Sequence, residues 1–202
     1  AYYRSAVTVR KKAIEQNHLI LAFPGLSYLD ERRYQLLLLN SILGGGCSSR
    51  LFQQLREQRG LCYSVYSYVS DHADTGFLGI YTGLSREQEE PALETVRAIV
   101  SQLADHGPSQ EELDRAREQA KANILMGLES VHARMSHLGS SMLLYGRVRE
   151  PEELLAAYDQ VTREDLRTLS QEIFTFPRAS LSAVGRVRSG EEYANWLEHG
   201  TF

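Results

Sequence analysis

The 202-residue sequence predicts an α+β fold, a mostly antiparallel sheet with helices packed on one face. Three observations predict it. Short apolar or alternating runs bounded by turn residues occur early and again near the end. Long stretches at helical spacing lie between them. The strands neither alternate strictly with helices, as in a doubly wound sheet, nor follow only one another. At 43% apolar residues the chain can bury one sizeable core.

Ala6–Arg10 alternates weakly, and His18–Phe23 is an apolar run stopped by Pro24-Gly25, which reads as a buried strand. Asp30 offers an N-cap to a helix with apolar positions from Tyr34 to Leu43, ended by Gly44-Gly45-Gly46. Ser48-Ser49 offers a cap to a shorter helix, Arg50–Gln58, closed by Arg59-Gly60. Leu61–Val69 alternates, with Tyr63, Val65, Ser67 and Val69 on one face and Tyr66 and Tyr68 on the other. Asp74-Thr75-Gly76 turns the chain into a returning strand, Phe77–Leu84, so the pair reads as an antiparallel hairpin.

The second half is helical. Leu93, Val96, Ile99, Val100 and Leu103 share a helix face ended by Gly107-Pro108, and Ser109 with Glu112 forms a capping box for the next helix. An apolar stripe from Leu113 to Met142 fits one helix or two, with a break near Gly127 or His132. Glu152–Tyr158 and Thr162–Phe174 are further amphipathic helices, the second capped by Thr162 with Asp165. Leu181–Val187 is a final strand. The expected organisation is a single domain over 1–187 and a polar C-terminal tail over 188–202.

Charge and cysteine content narrow the function classes. Twenty-two basic and 26 acidic residues are interspersed, a net of −4, which disfavours a nucleic-acid partner. No apolar stretch approaches the roughly 20 residues that cross a bilayer, so no membrane partner is expected. Two cysteines, Cys47 and Cys62, without a CxxC pair point to a reducing compartment. The chain begins at Ala1 rather than methionine, as a piece of a longer polypeptide does. No signal peptide is evident, so a cytoplasmic location is the expectation.

The usual hydrolytic constellations are missing. Neither HExxH nor HxxEH occurs, and His132 and His137, the nearest pair, would point about 140° apart on a helix. No GxSxG elbow surrounds a serine, and the glycine run lacks the Gly-Lys-Ser/Thr of a phosphate loop. Gly44, Gly45 and Gly46 read first as a helix stop and second as a candidate substrate rim.

The stretch Gly44–Tyr68 carries Ser49-Arg50-Leu51, Leu55-Arg56, Gly60-Leu61, Tyr63 and Val65 in an order that resembles the C-terminal half of peptidases of the pitrilysin/insulinase/processing-peptidase (M16) family. Glu15–Gly46 resembles the start of that half. The run Arg149-Glu150-Pro151-Glu152-Glu153-Leu154-Leu155 and the helix start Val161-Thr162-Arg163-Glu164-Asp165-Leu166 have counterparts there as well, so the resemblance spans about residues 5 to 187. It implies one half of a clam-shell metallopeptidase. In such enzymes the first half holds zinc on HxxEH and a distant glutamate, and the second supplies an arginine and a tyrosine that hold the backbone of an extended peptide. Those two positions transfer to Arg56 and Tyr63; Arg59, and less so Arg50, compete for the first. HxxEH falls over Leu36–Asn40, where no register recovers a histidine, so this chain is expected to hold no metal or cofactor. Zinc is expected in the partner half.

Two readings follow from the resemblance. The first is a substrate-binding, non-catalytic half of a zinc endopeptidase, inactive alone. Its partners would be an HxxEH-bearing half, on the same polypeptide or a separate subunit, and an extended peptide, with a dimer left open. The second is a non-enzymatic structural core subunit of the same fold, such as respiratory complexes contain.

Overall fold

A computed structural model describes residues 2–202. Five strands, β1 (Val7–Lys11), β2 (Asn17–Pro24), β3 (Ser64–Asp71), β4 (Gly76–Leu84) and β5 (Ser180–Gly185), form one sheet in the order β1-β5-β2-β4-β3. Only β1 and β5 pair in parallel; the β3–β4 hairpin is antiparallel from Ser64↔Gly83 to Asp71↔Gly76. The helices are α1 (Arg33–Gly44), α2 (Glu89–His106), α3 (Gln110–Glu129), α4 (Val131–Tyr145), α5 (Pro151–Asp159), α6 (Arg163–Ile173) and α7 (Gly190–His199).

Period-two alternation decides which face of the sheet is covered. Leu19, Leu21 and Phe23 of β2, Leu78 and Ile80 of β4, Val65 of β3, and Leu181 and Ala183 of β5 are all buried. They pack with Leu36, Leu38, Leu39 and Leu43 of α1 and with Val96, Ile99, Val100 and Leu103 of α2 in one core. The opposite face stays open and carries a row of rings: Tyr66 stacks on Tyr81 at 4.8 Å, and the Tyr81 hydroxyl lies 2.8 Å from His18 Nδ1.

Several sequence expectations shift by a few residues, each for a visible reason. Asp30 is not the cap of α1. Its carboxylate accepts from the Arg32 N–H at 2.8 Å and its carbonyl from the Arg33 N–H at 3.0 Å, making a turn that ends at the N-cap, Arg32. The long stripe resolves into two helices at Ser130, whose hydroxyl accepts from the Ala133 N–H and caps α4. Both expected capping boxes, Ser109/Glu112 and Thr162/Asp165, are present.

The segment 188–202, expected as a polar tail, instead carries α7 and packs into the core. Ser189 and Glu192 form a third capping box, and Tyr193, Trp196 and Leu197 are buried. Their i, i+3, i+4 spacing makes one apolar stripe, which Glu191, Glu192, Glu198 and His199 mask in an averaged composition. Trp196 meets Phe176 edge-on at 5.6 Å and stacks on Phe202, and the Arg97 guanidinium lies over its ring at 4.7 Å. A buried carboxylate locks the helix in place. Glu89, at the start of α2, accepts from the Tyr193 hydroxyl at 2.7 Å and from Asn17 Nδ2 at 2.9 Å, with Arg188 Nε 3.4 Å away. Asn17 Oδ1 in turn accepts from the Arg186 N–H at 2.7 Å, which ties the end of β5 to the same group.

Trp196→Ala should therefore cost about 3–5 kcal/mol in denaturant unfolding. A loss below about 0.5 kcal/mol, the scale of a surface substitution, would show that α7 is dispensable.

Candidate functional site

The residues between α1 and β3 form a compact substructure whose geometry separates the candidate side chains. Its first member is Gly44, the last residue of α1, which is buried. A Cβ there would meet the backbone nitrogen of Ser67 on β3 and, at 2.6 Å, the Ser67 hydroxyl. Ser67 Oγ donates to the Asn40 carbonyl at 3.1 Å across the same contact. Gly45 is excluded from carrying a side chain by Ser41 Cα, 2.7 Å from its would-be Cβ, whereas Gly46 has open space there. Of the three glycines read as a substrate rim, Gly44 is thus a packing residue inside the fold. Gly45 and Gly46 line a cleft of about 430 Å³ between the end of α1 and α3, with Ser41, Cys47, Arg115 and Gln119.

Arg50–Gln58 is helical as expected, but Phe52–Gln58 is wound as a π-helix. Ser49 does not cap it; its hydroxyl donates to the Gly46 carbonyl and so closes the glycine turn. Leu51 and Leu55 anchor the segment in the core. The helix ends through a Gly60 N–H to Arg56 carbonyl bond of 3.2 Å and a Leu61 N–H to Leu55 carbonyl bond of 2.8 Å. Gly60 sits at φ +60°, where a Cβ would be strained. The Tyr63 N–H then donates to the Gly83 carbonyl at 2.8 Å, joining the chain to β4 just before β3 begins.

Within this frame the three arginines have different fates. Arg50 makes a two-pronged contact with Glu112 on α3, Nε to Oε1 at 2.7 Å and Nη2 to Oε2 at 2.8 Å. Arg59 donates to Thr95 Oγ1 of α2 at 3.2 Å. The Arg56 side chain has no hydrogen bond or ion pair among the described residues. Its guanidinium lies 4.9 Å from the Phe52 ring centre, a cation–π contact that leaves its donors free. Tyr63 is 63% exposed, and its phenol makes no hydrogen bond among the described residues. Tyr66 and Tyr68, by contrast, belong to the ring row of the open sheet face.

Between them lies Cys62. Burial raises its thiol above the ordinary value, outweighing the opposite influences of the Thr82 hydroxyl and the Arg56 charge. A thiol held protonated is a poor nucleophile. Glu112 behaves in the opposite sense. Burial pushes its carboxyl up, but the bonds from Arg50 and from the Ser109 backbone prevail and hold it below the usual range.

Of the α1 positions that the resemblance lays over a zinc motif, Leu36, Leu38 and Leu39 are buried in the core, while Leu37 and Asn40 are half-buried. Among the described residues no group of three or more His, Cys, Asp or Glu stands where it could hold a metal ion, and His137 spends its Nε2 on the Arg149 carbonyl at 2.8 Å. Among the described residues, the side chains do not fit a zinc ion. Nor does any helix have the length and apolarity to cross a membrane, among the described residues.

The π-helical winding and the burial of Gly44 were the features that sequence reasoning missed. An i→i+5 ladder has no residue signature, and a glycine run reads alike whether it stops a helix or lets a strand approach.

Two outcomes test this geometry. Gly44→Ala should lose about 1–3 kcal/mol because backbone must move to admit the methyl, while Gly46→Ala should stay within about 0.5 kcal/mol; equal effects would refute the close approach. Because the Glu112 pKa is lowered in the folded state, its contribution is present above the unfolded carboxylate value near 4.3 and fades as pH falls through the folded value. Glu112→Gln should therefore cost about 1–3 kcal/mol at pH 7 and progressively less under acid, measured by urea unfolding across pH. A pH-independent difference would exclude the ionised pairing.

The comparisons with known proteins agree with this architecture. A model described as "Peptidase M16 inactive domain" matches residues 1–120. The chain is 41% identical over 174 residues to an uncharacterized zinc protease of Streptomyces coelicolor and 40% identical over 182 residues to another, YmxG, of Bacillus subtilis. It covers 38% and 44% of those proteins, with 86% and 89% of its own length aligned. The chain thus spans less than half the length of these relatives. Among solved structures, a peptidase M16 inactive domain from Pseudomonas fluorescens superposes with TM-score 0.81 at 23% identity, over 92% of this chain and 45% of that one. A chain in complex III2 of Candida albicans superposes equally, TM-score 0.81 at 16% identity, over 96% of this chain and 49% of that one. With its fold, its leucine-filled α1 and the family match in accord, the chain belongs to the peptidase M16 inactive-domain family.

Proposed function

We propose that this chain is the substrate-holding half of a zinc-dependent endopeptidase, in which Arg56 and Tyr63 grip the backbone of an extended peptide. The observation that carries the proposal is the contrast among the arginines. Arg50 and Arg59 are committed to Glu112 and Thr95, whereas Arg56 presents an unoccupied guanidinium and Tyr63 an unoccupied phenol at the two ends of one rigid helix–turn. An always-charged fork of donors plus a phenolic O–H suits peptide carbonyls, which every sequence offers, so the grip would be indifferent to side chains. Metal-activated hydrolysis would be supplied by another half, as the "zinc protease" names of the longer relatives suggest. This chain's contribution would be orientation, keeping the scissile bond still beside that centre.

The likeness to a chain in complex III2 favours a second reading, a structural subunit that retains the fold without catalysis. A structural role has no use for two unoccupied donors at the turn.

The full native polypeptide or assembly decides between them. With a quenched unstructured peptide, Arg56→Ala and Tyr63→Phe should each lower kcat/KM by about tenfold to a hundredfold, with zinc content unchanged. Cleavage unaffected by either change would assign the grip to other residues, and an assembly without zinc or cleavage would establish the structural role.

A further inference from the structure

Helix α4 is not finished by the fold it belongs to. Of its 15 residues only Ser141 is buried. Seven of the eleven exposed large apolar side chains among the described residues lie on it or on the last turns of α3: Leu125, Met126, Val131, Met135, Leu138, Met142 and Leu143. All three methionines of the protein are in that group. Methionine is the residue that adapts best to an irregular apolar partner.

The placement is ordered rather than scattered. Val131, Met135, Leu138 and Met142 recur at intervals of four, three and four, so they stand within about 60° of one another along about 16 Å of helix. That is the seam of a helix that receives knobs from another helix. Tyr145 donates to the Tyr28 carbonyl and His137 contacts the Arg149 carbonyl, which holds α4 on the domain, while Val131, Met135 and Met142 stay exposed and Leu138 borders a cleft with Val148 and Pro151. A contiguous apolar strip of this kind marks an interaction site.

Charge identifies the partner's flanks. Val131–Tyr145 contains no aspartate or glutamate, and its one formal charge, Arg134, has no ion pair among the described residues. Two copies placed seam to seam would bring two Arg134 guanidinium groups together with no carboxylate of α4 between them. A partner helix flanked by acidic residues would complete both the seam and the charge.

We propose that the α4 seam is the surface on which a helix of the zinc-bearing half packs, an apolar helix with acidic flanks. The proposal rests on the reading of this chain as one half of a larger peptidase. More than half of each relative's length lies outside the aligned region, which leaves ample chain to supply such a helix.

Photo-methionine incorporation tests it without altering the fold. The full native polypeptide or assembly is grown with this diazirine analogue, irradiated and digested, and cross-links from the tryptic peptide Met135–Arg147 are identified. Cross-links to one helical segment of the metal-bearing half, rich in Asp or Glu beside its apolar positions, are expected. Cross-links from this peptide to itself in a second copy would overturn the proposal in favour of self-association. Only solvent-quenched products, or links scattered over unrelated proteins, would overturn it outright. Peptidase activity and zinc content are measured separately on unirradiated protein. Their absence sinks the peptidase reading while leaving the docking result to stand or fall by its own cross-links.

Discussion

The close approach of α1 to β3 at Gly44 governs the course of the chain between helix and sheet. Where a helix terminus meets a strand with no room for a methyl group, the chain leaving that helix has one exit, and residues 45–63 follow it. Leu51 and Leu55 pin that exit to the core, Arg50 ties it to α3 through Glu112, and Arg59 ties it to α2 through Thr95. The segment is thus held from three sides.

The winding of this segment has its own consequence. A π-helical turn places residues differently from an α-helix, and such turns recur at functional sites. Here the turn carries Arg56 and ends on Gly60, whose left-handed backbone directs the chain into β3. Arg56 and Tyr63 therefore flank one sharp reversal. The side chains that stabilise the reversal, Leu55 and the two committed arginines, are different from the pair left free.

At the other end of the sheet, the fold depends on a buried carboxylate. Glu89 is fully buried and survives there because Tyr193, Asn17 and Arg188 satisfy it. Removing one partner from such a group leaves a costly unpaired charge, which makes α7 part of the core rather than an appendage. Burial and the neighbouring Glu89 carboxylate together hold the Tyr193 phenol far above its ordinary pKa, so it serves as a donor across the whole physiological range.

Periodicity and punctuation in the sequence were sufficient for the element order as far as β5, the β3–β4 hairpin, two of the three capping boxes and the open-faced sheet, because these follow from spacing that each segment carries within itself. Tertiary structure alone decided the rest. Whether Gly44 is a rim or a packing residue depends on Ser67, distant in sequence. Which arginine stays free depends on Glu112 and Thr95. The fate of residues 188–202 depends on Glu89, Arg97 and Phe176 waiting in other elements. Local spacing records what a segment can form, whereas the partner that claims each polar or aromatic side chain is chosen by contacts between residues far apart in the chain.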